Sequence, residues 1–140
     1  NLKRIVAQTR ANGGTPVVIT SMERKSGVNV PTLAGYPDAV CAVAREDNVA
    51  LIDLYAMSVR LYQALGTNLS TAFQDGTHHN NYGSYLLAKC VGVGVARTGS
   101  PLANFLVEEA RTFDHEHPDA IEKFNVPPSP MHSVRKPDGN

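Results

Sequence analysis

The sequence predicts an α/β fold in which helices cover both faces of a parallel sheet. Three observations carry that expectation. Amphipathic helical patterns alternate with short apolar runs. Those runs are apolar on consecutive positions, as strands covered on both sides are. Each run is separated from the next by a helix, the spacing that right-handed parallel crossovers require.

Residues 1–11 open the series as an amphipathic helix, with Leu2, Ile5, Val6 and Thr9 on one face and Lys3, Arg4, Gln8 and Arg10 largely elsewhere. Asn12, Gly13 and Gly14 supply the stop. Residues 15–20 then read as a strand. Residues 21–32 are polar and contain Gly27 and Pro31, so they form a loop at the carboxyl end of that strand. Ligands bind at that edge of open parallel sheets. Glu23, Arg24 and Lys25 lie in the loop, either as solvated charges or as contacts to a substrate.

The next helix covers residues 36–47, with Pro37 in its first turn and Ala39, Val40, Val43 and Ala44 on its buried face. Residues 49–54 form the second strand. Asp53 near its end is either a structural hydrogen-bonding group or a site residue. Residues 55–65 are helical, with Met57, Leu61, Tyr62 and Leu65 inward and Gly66 as the stop. Residues 67–80 are a loop. Residues 81–97 form the last long helix, with Tyr82, Tyr85, Leu86, Cys90 and Val93 toward the core. Gly92 and Gly94 weaken its propensity, which suggests close packing on a neighbour. After a short apolar segment at 102–106 the chain turns polar and proline-rich. We therefore divide it into residues 1–106 and a tail or linker at 107–140, with Ile121 and Phe124 as candidate anchors.

The 140 residues, 42% hydrophobic, suffice for one domain with a core. Lys plus Arg and Asp plus Glu both number 13, so the basic excess of a nucleic-acid binder is missing and no such partner is expected. No apolar run approaches the roughly 20 residues of a membrane helix, and no membrane partner is expected. Cys41 and Cys90 lack metal-ligand spacing and sit in apolar helical patterns, which suits small buried hydrophobes; a disulfide between them stays open. Two strands make a poor sheet, and the chain enters a helical pattern at Asn1 without a leader. Both features suggest a piece of a longer protein with its N-terminal half upstream. Any signal peptide would lie there too, so a secreted or periplasmic setting is left open.

The chemistry concentrates in Asp75-Gly76-Thr77-His78-His79-Asn80, a polar turn just before the last long helix. An acid three residues ahead of a histidine can orient one imidazole nitrogen and leave the other for proton transfer. The plain alternative is that Asp75 caps the helix and His78 is a surface histidine. A nucleophile is not visible. The serines at 21, 26, 58, 70, 84, 100, 129 and 133 lack Gly-x-Ser-x-Gly or Gly-Asp-Ser surroundings. His78 with His79 makes a poor metal pair, because adjacent side chains point apart. Asp114, His115, Glu116 and His117 lie in the polar tail and read as a solvated turn.

With these residues in place, the chain resembles the C-terminal half of an SGNH (GDSL-type) hydrolase, closest to the rhamnogalacturonan acetylesterase group of carbohydrate esterases. The matching pieces are residues 1–6 with 15–20, residues 36–54, Leu65-Gly66, the block Asp75-Gly76-Thr77-His78, and the helix at 82–91. The resemblance covers residues 1–106. It implies a flavodoxin-like three-layer α/β/α sandwich, of which this chain holds the C-terminal half. It also implies hydrolysis of an acetyl ester on a pectic or related polysaccharide, so an acetylated carbohydrate is the expected partner. Asp75 and His78 map onto the family's catalytic Asp-x-x-His. The attacking serine and the glycine and asparagine of the oxyanion hole would lie upstream of Asn1. Arg24, His79 and Asn80 are the expected substrate contacts, and no metal or organic cofactor is implied. Two other readings are a non-catalytic sugar- or partner-binding fragment and a metal-dependent hydrolase using His78, His79 and the acidic-histidine cluster of the tail.

Overall fold

The computed structural model describes residues 1–127, so the expected tail prolines Pro128, Pro130 and Pro137 lie outside the described residues. Its regular elements run in the order α1 (Leu2–Ala11), β1 (Val17–Ile19), α2 (Tyr36–Glu46), β2 (Ala50–Ile52), α3 (Leu54–Leu65), α4 (Asn81–Arg97) and α5 (Glu108–Arg111). The two strands are parallel, with Val17 opposite Ala50, Val18 opposite Leu51 and Ile19 opposite Ile52. The architecture is therefore α/β around a small two-stranded parallel sheet.

Side chains alternate across a strand, and the sheet uses this to reach two sets of helices. Val18 packs with Val6 of α1, Ala44 of α2 and Val49, and Leu51 packs against that cluster. Ile52 points instead toward α4, where an added Cβ on Gly94 would stand 2.4 Å from Ile52 Cγ2. Two residues earlier, on another side of α4, a Cβ on Gly92 would meet the Ala110 carbonyl oxygen of α5 at 2.8 Å. The two glycines that weaken α4 as a helix thus let it approach a strand on one side and α5 on another. The expected close packing is present.

Both strands are shorter than expected, because polar residues end them. Asp53 caps α3, its side chain accepting the Ala56 amide at 3.1 Å and the Thr20 hydroxyl at 3.0 Å. Thr20 in turn accepts the Tyr55 amide at 2.8 Å. Asp53 is therefore a structural joint between β1 and α3. The two polar connections also hold more structure than expected. Residues Lys25–Val28 and Gly66–Ala72 form 3-10 turns, and Phe73 pairs with His79 as an isolated antiparallel bridge.

The main core lies between α3 and α4. Leu61, Tyr62, Leu86 and Cys90 are essentially sealed there, with Ala72, Phe73 and Phe113 closing its ends. The inward positions expected for α3 (Met57, Leu61, Tyr62, Leu65) are all buried. The expectation for α1 and α2 fails in part. Ile5 is 55% exposed, Ala39 is exposed, and Val40 and Val43 are only half-buried. Ala39, Val40 and Val43 border an apolar groove with Leu2, Leu33 and Tyr36, and among the described residues these apolar side chains stay partly exposed. Both cysteines are free thiols, and only Cys90 is fully buried; Cys41 is half-buried. Burial pushes the Cys90 thiol up to about 12.

Beyond α5 the chain lies across α4. Asp119 accepts Tyr82 Oη at its carbonyl (2.6 Å), and its carboxylate accepts Tyr85 Oη (2.9 Å) and Lys89 Nζ (2.5 Å). Phe124 packs on the Tyr82 and Tyr85 rings, while Ile121 is 41% exposed.

Candidate active site

The turn before α4 is closed from both ends by backbone bonds. Gln74 N donates to His78 O at 2.8 Å, and Asn80 N donates to Ala72 O at 3.1 Å. Within that frame Asp75 uses its two carboxylate oxygens for different tasks. Oδ1 accepts the amides of Thr77 and His78, both at 2.7 Å, which fixes the backbone of the turn. Oδ2 lies 3.1 Å from His78 Nδ1. An ionised carboxylate only accepts, so Nδ1 of His78 carries the proton and the lone pair of the neutral ring sits on Nε2. The amide bonds from His78 and Thr77, opposed by partial desolvation and helped by the His78 ring, hold the Asp75 carboxyl at about 2. It is ionised at any ordinary pH. His78 keeps 36% of its side chain exposed and Asp75 keeps 17%. The pair is thus partly exposed with Nδ1 turned to the carboxylate, an arrangement suited to proton transfer by an imidazole.

The cap of α4 is Asn80, not Asp75. Asn80 Oδ1 accepts the Gly83 amide at 3.0 Å and its Nδ2 donates to Thr71 O at 2.7 Å. The capping alternative for Asp75 therefore does not hold. His79 turns inward, tilted against the Phe73 ring at a 4.1 Å centroid distance, with Nε2 2.8 Å from Tyr62 Oη. Burial, reinforced by His78 next door, pushes His79 down to about 4, so it is neutral at pH 7. His79, expected as a substrate contact, thus bonds Tyr62 through Nε2, and Asn80, expected likewise, bonds Gly83 and Thr71 through its amide.

The loop after β1 meets the same turn, with Lys25 N donating to Gly76 O at 3.2 Å. Arg24 is exposed there. Glu23, read from the sequence as a loop charge, is 1% exposed. Its carboxylate accepts the amides of Arg24 (2.7 Å) and Thr32 (3.0 Å) and also the Thr32 hydroxyl. Desolvation pushes its pKa up, but the Thr32 hydroxyl and these amides outweigh it and hold the carboxyl below its ordinary value. Gly27 makes room for it, since a Cβ there would fall 2.1 Å from Glu23 Cδ. Ser58 is the buried serine among the described residues. It accepts the Glu23 amide at 2.9 Å and donates to Tyr55 O at 2.9 Å, so its role is structural.

The tail cluster is a separate turn. Asp114 Oδ2 lies 2.7 Å from His117 Nδ1, Glu116 pairs with Arg60 at 2.7 Å, and all three tail residues are exposed. Among the described residues, no three His, Cys, Asp or Glu side chains gather as a metal site.

Rhamnogalacturonan acetylesterase RhgT of Bacillus subtilis (strain 168) is 34% identical over 118 residues, which cover 70% of this chain and 51% of that protein. "Probable rhamnogalacturonan acetylesterase YesY" of the same organism is 31% identical over 118 residues, 77% of this chain and 54% of that protein. The chain is related to the rhamnogalacturonan acetylesterases of the SGNH (GDSL-type) group. It spans about half the length of these curated relatives. No protein-family model matches the chain, and no solved structure does.

The sequence pointed to Asp75 and His78 but missed Glu23 and Tyr62 as parts of the site's frame. A lone glutamate in a polar loop gives no periodic signal. Only the small residue at Gly27 and the hydroxyl at Thr32 hinted that a side chain could fold under the loop.

Proposed function

We propose that this chain supplies the acid-base arm of a serine-type carbohydrate acetylesterase. The observation that carries the reading is the Asp75 carboxylate, one oxygen fixing the turn and the other orienting His78 Nδ1. His78 Nε2 would take the serine proton and later return it to the leaving alcohol, and Asp75 would steady the imidazolium formed between. The substrate would be an acetylated pectic polysaccharide, as the relatives' names suggest. Arg24 would meet it, since a guanidinium suits the carboxylates of a uronic-acid polymer. In this reading His79 and Asn80 serve the site by holding the loop.

The serine and its oxyanion hole would come from outside these 140 residues, within a full three-layer α/β/α sandwich. Three features support that. The match covers only 51% and 54% of the two relatives. No serine here has a nucleophile's surroundings. Among the described residues, the groove along Leu2, Tyr36, Val40 and Val43 leaves apolar surface open. The test is acetate release from acetylated rhamnogalacturonan by the protein that carries this chain together with a serine block, with and without EDTA. Release insensitive to chelator supports the reading. Release abolished by chelator and restored by zinc would favour a metal hydrolase, and background-level release a binding fragment.

A further inference from the structure

One buried hydroxyl sits beneath both loops of the site. Tyr62 is 1% exposed, and its Oη donates to the Glu23 carbonyl at 3.0 Å while lying 2.8 Å from His79 Nε2. A phenol has one proton, and here it is engaged with the carbonyl. His79 must therefore donate Nε2–H to the Tyr62 oxygen, which fixes the tautomer of a neutral ring. Glu23 directly precedes Arg24, and His79 directly follows His78. A single oxygen atom thus holds the neighbours of both functional residues.

Packing alone does not require that hydroxyl. The Tyr62 ring stands edge-on to Phe73 at 5.3 Å within the main core, and a phenylalanine would fill the same space. A buried hydroxyl is unfavourable unless bonded, and this one is bonded to two loops distant in sequence. The first loop is stiffened by the Glu23 carboxylate folded over Gly27, so a pull on the Glu23 carbonyl is transmitted to Arg24 rather than absorbed. The Lys25 to Gly76 bond closes the circuit at the surface.

We propose that Tyr62 is a positioning residue of the site. Its hydroxyl couples the 21–32 loop to the 74–80 loop, so that Arg24 and His78 hold one mutual geometry. The catalytic consequence rests on the esterase reading; the coupling itself does not.

The test has two arms. In the 140-residue chain, amide hydrogen exchange is compared between wild type and Tyr62→Phe. The expected result is faster exchange, about fivefold, at Lys25 in one loop and at Gln74 and Asn80 in the other, with Leu86 in α4 unchanged. Unchanged exchange in either loop would overturn the coupling. If Tyr62→Phe fails to fold, Glu23→Gln carries this arm: loosening the first loop must raise exchange at Gln74 and Asn80, and silence there refutes the proposal. In the longer protein that carries the serine, Tyr62→Phe is expected to lower kcat about 10- to 100-fold on a small acetate ester with little change in KM. Wild-type kcat in Tyr62→Phe beside an inactive His78→Ala would sink the positioning role and leave the esterase reading standing. Full turnover in His78→Ala would sink the esterase reading, and the exchange arm would then decide the coupling alone.

Discussion

Lowering the pH should destabilise this chain through His79 well before its carboxylates titrate. The ring is held neutral among Phe73 and Tyr62, with a folded pKa pushed from 6.5 down to about 4. A histidine with a depressed folded pKa contributes stability that is complete above 6.5. That stability falls away as the pH drops toward 4, because the unfolded chain takes up the proton first. At 1.36 kcal/mol per pKa unit, the gap corresponds to about 3 kcal/mol. The ring is only partly covered, so solvent screening reduces this, and about 1 to 1.5 kcal/mol should be lost between pH 7 and 4.5. Urea unfolding of wild type and His79→Gln at both pH values measures it. Glutamine keeps an N–H for Tyr62 but does not titrate, so the acid loss should shrink by that amount. With slopes of about 1 to 3 kcal/mol per molar, the wild-type midpoint should move about 0.3 to 1.5 M further than the variant's. Equal movement in both proteins would show that the fold does not hold His79 neutral, and the geometry of the turn would need revision.

Two further outcomes test the packing. Gly94→Ala adds a methyl that meets the branched Ile52 side chain at 2.4 Å, and overpacking of about 3 kcal/mol should exceed the gain in helix propensity of about 1. A net loss of about 2 kcal/mol in urea unfolding is expected, and a stabilised variant would contradict the close approach of α4 to β2. Cys90 should resist DTNB at pH 8 until the chain unfolds, because it is sealed in the core with a raised pKa, while half-buried Cys41 should react slowly in the native state. Two equally fast thiols would argue against the α3–α4 core as described.

The elements were legible because their signals are local. The inward residues of α3 follow from helical spacing alone, and Gly92 with Gly94 announced a close neighbour without naming Ile52 or Ala110. The face of α1 was misjudged because periodicity says which residues share a face, not whether anything covers it. Ile5 has the right spacing and is nonetheless 55% exposed. In the site, Asp75 and His78 were readable since three residues in a turn suffice to join them. Glu23 and Tyr62 were not, because their bond spans 39 positions and depends on where two loops meet in space. The bonds of His79 and Asn80 to Tyr62, Thr71 and Gly83 were not legible either, because they are set by side-chain direction rather than residue type.

The measurement that tests the central proposal most directly is the kcat of His78→Ala for acetate release, made in the longer protein with its fold checked by circular dichroism. If Asp75 and His78 form the acid-base arm, kcat should fall on the order of 10³-fold or more. Turnover within a few-fold of wild type in a folded His78→Ala protein would remove His78 from the mechanism.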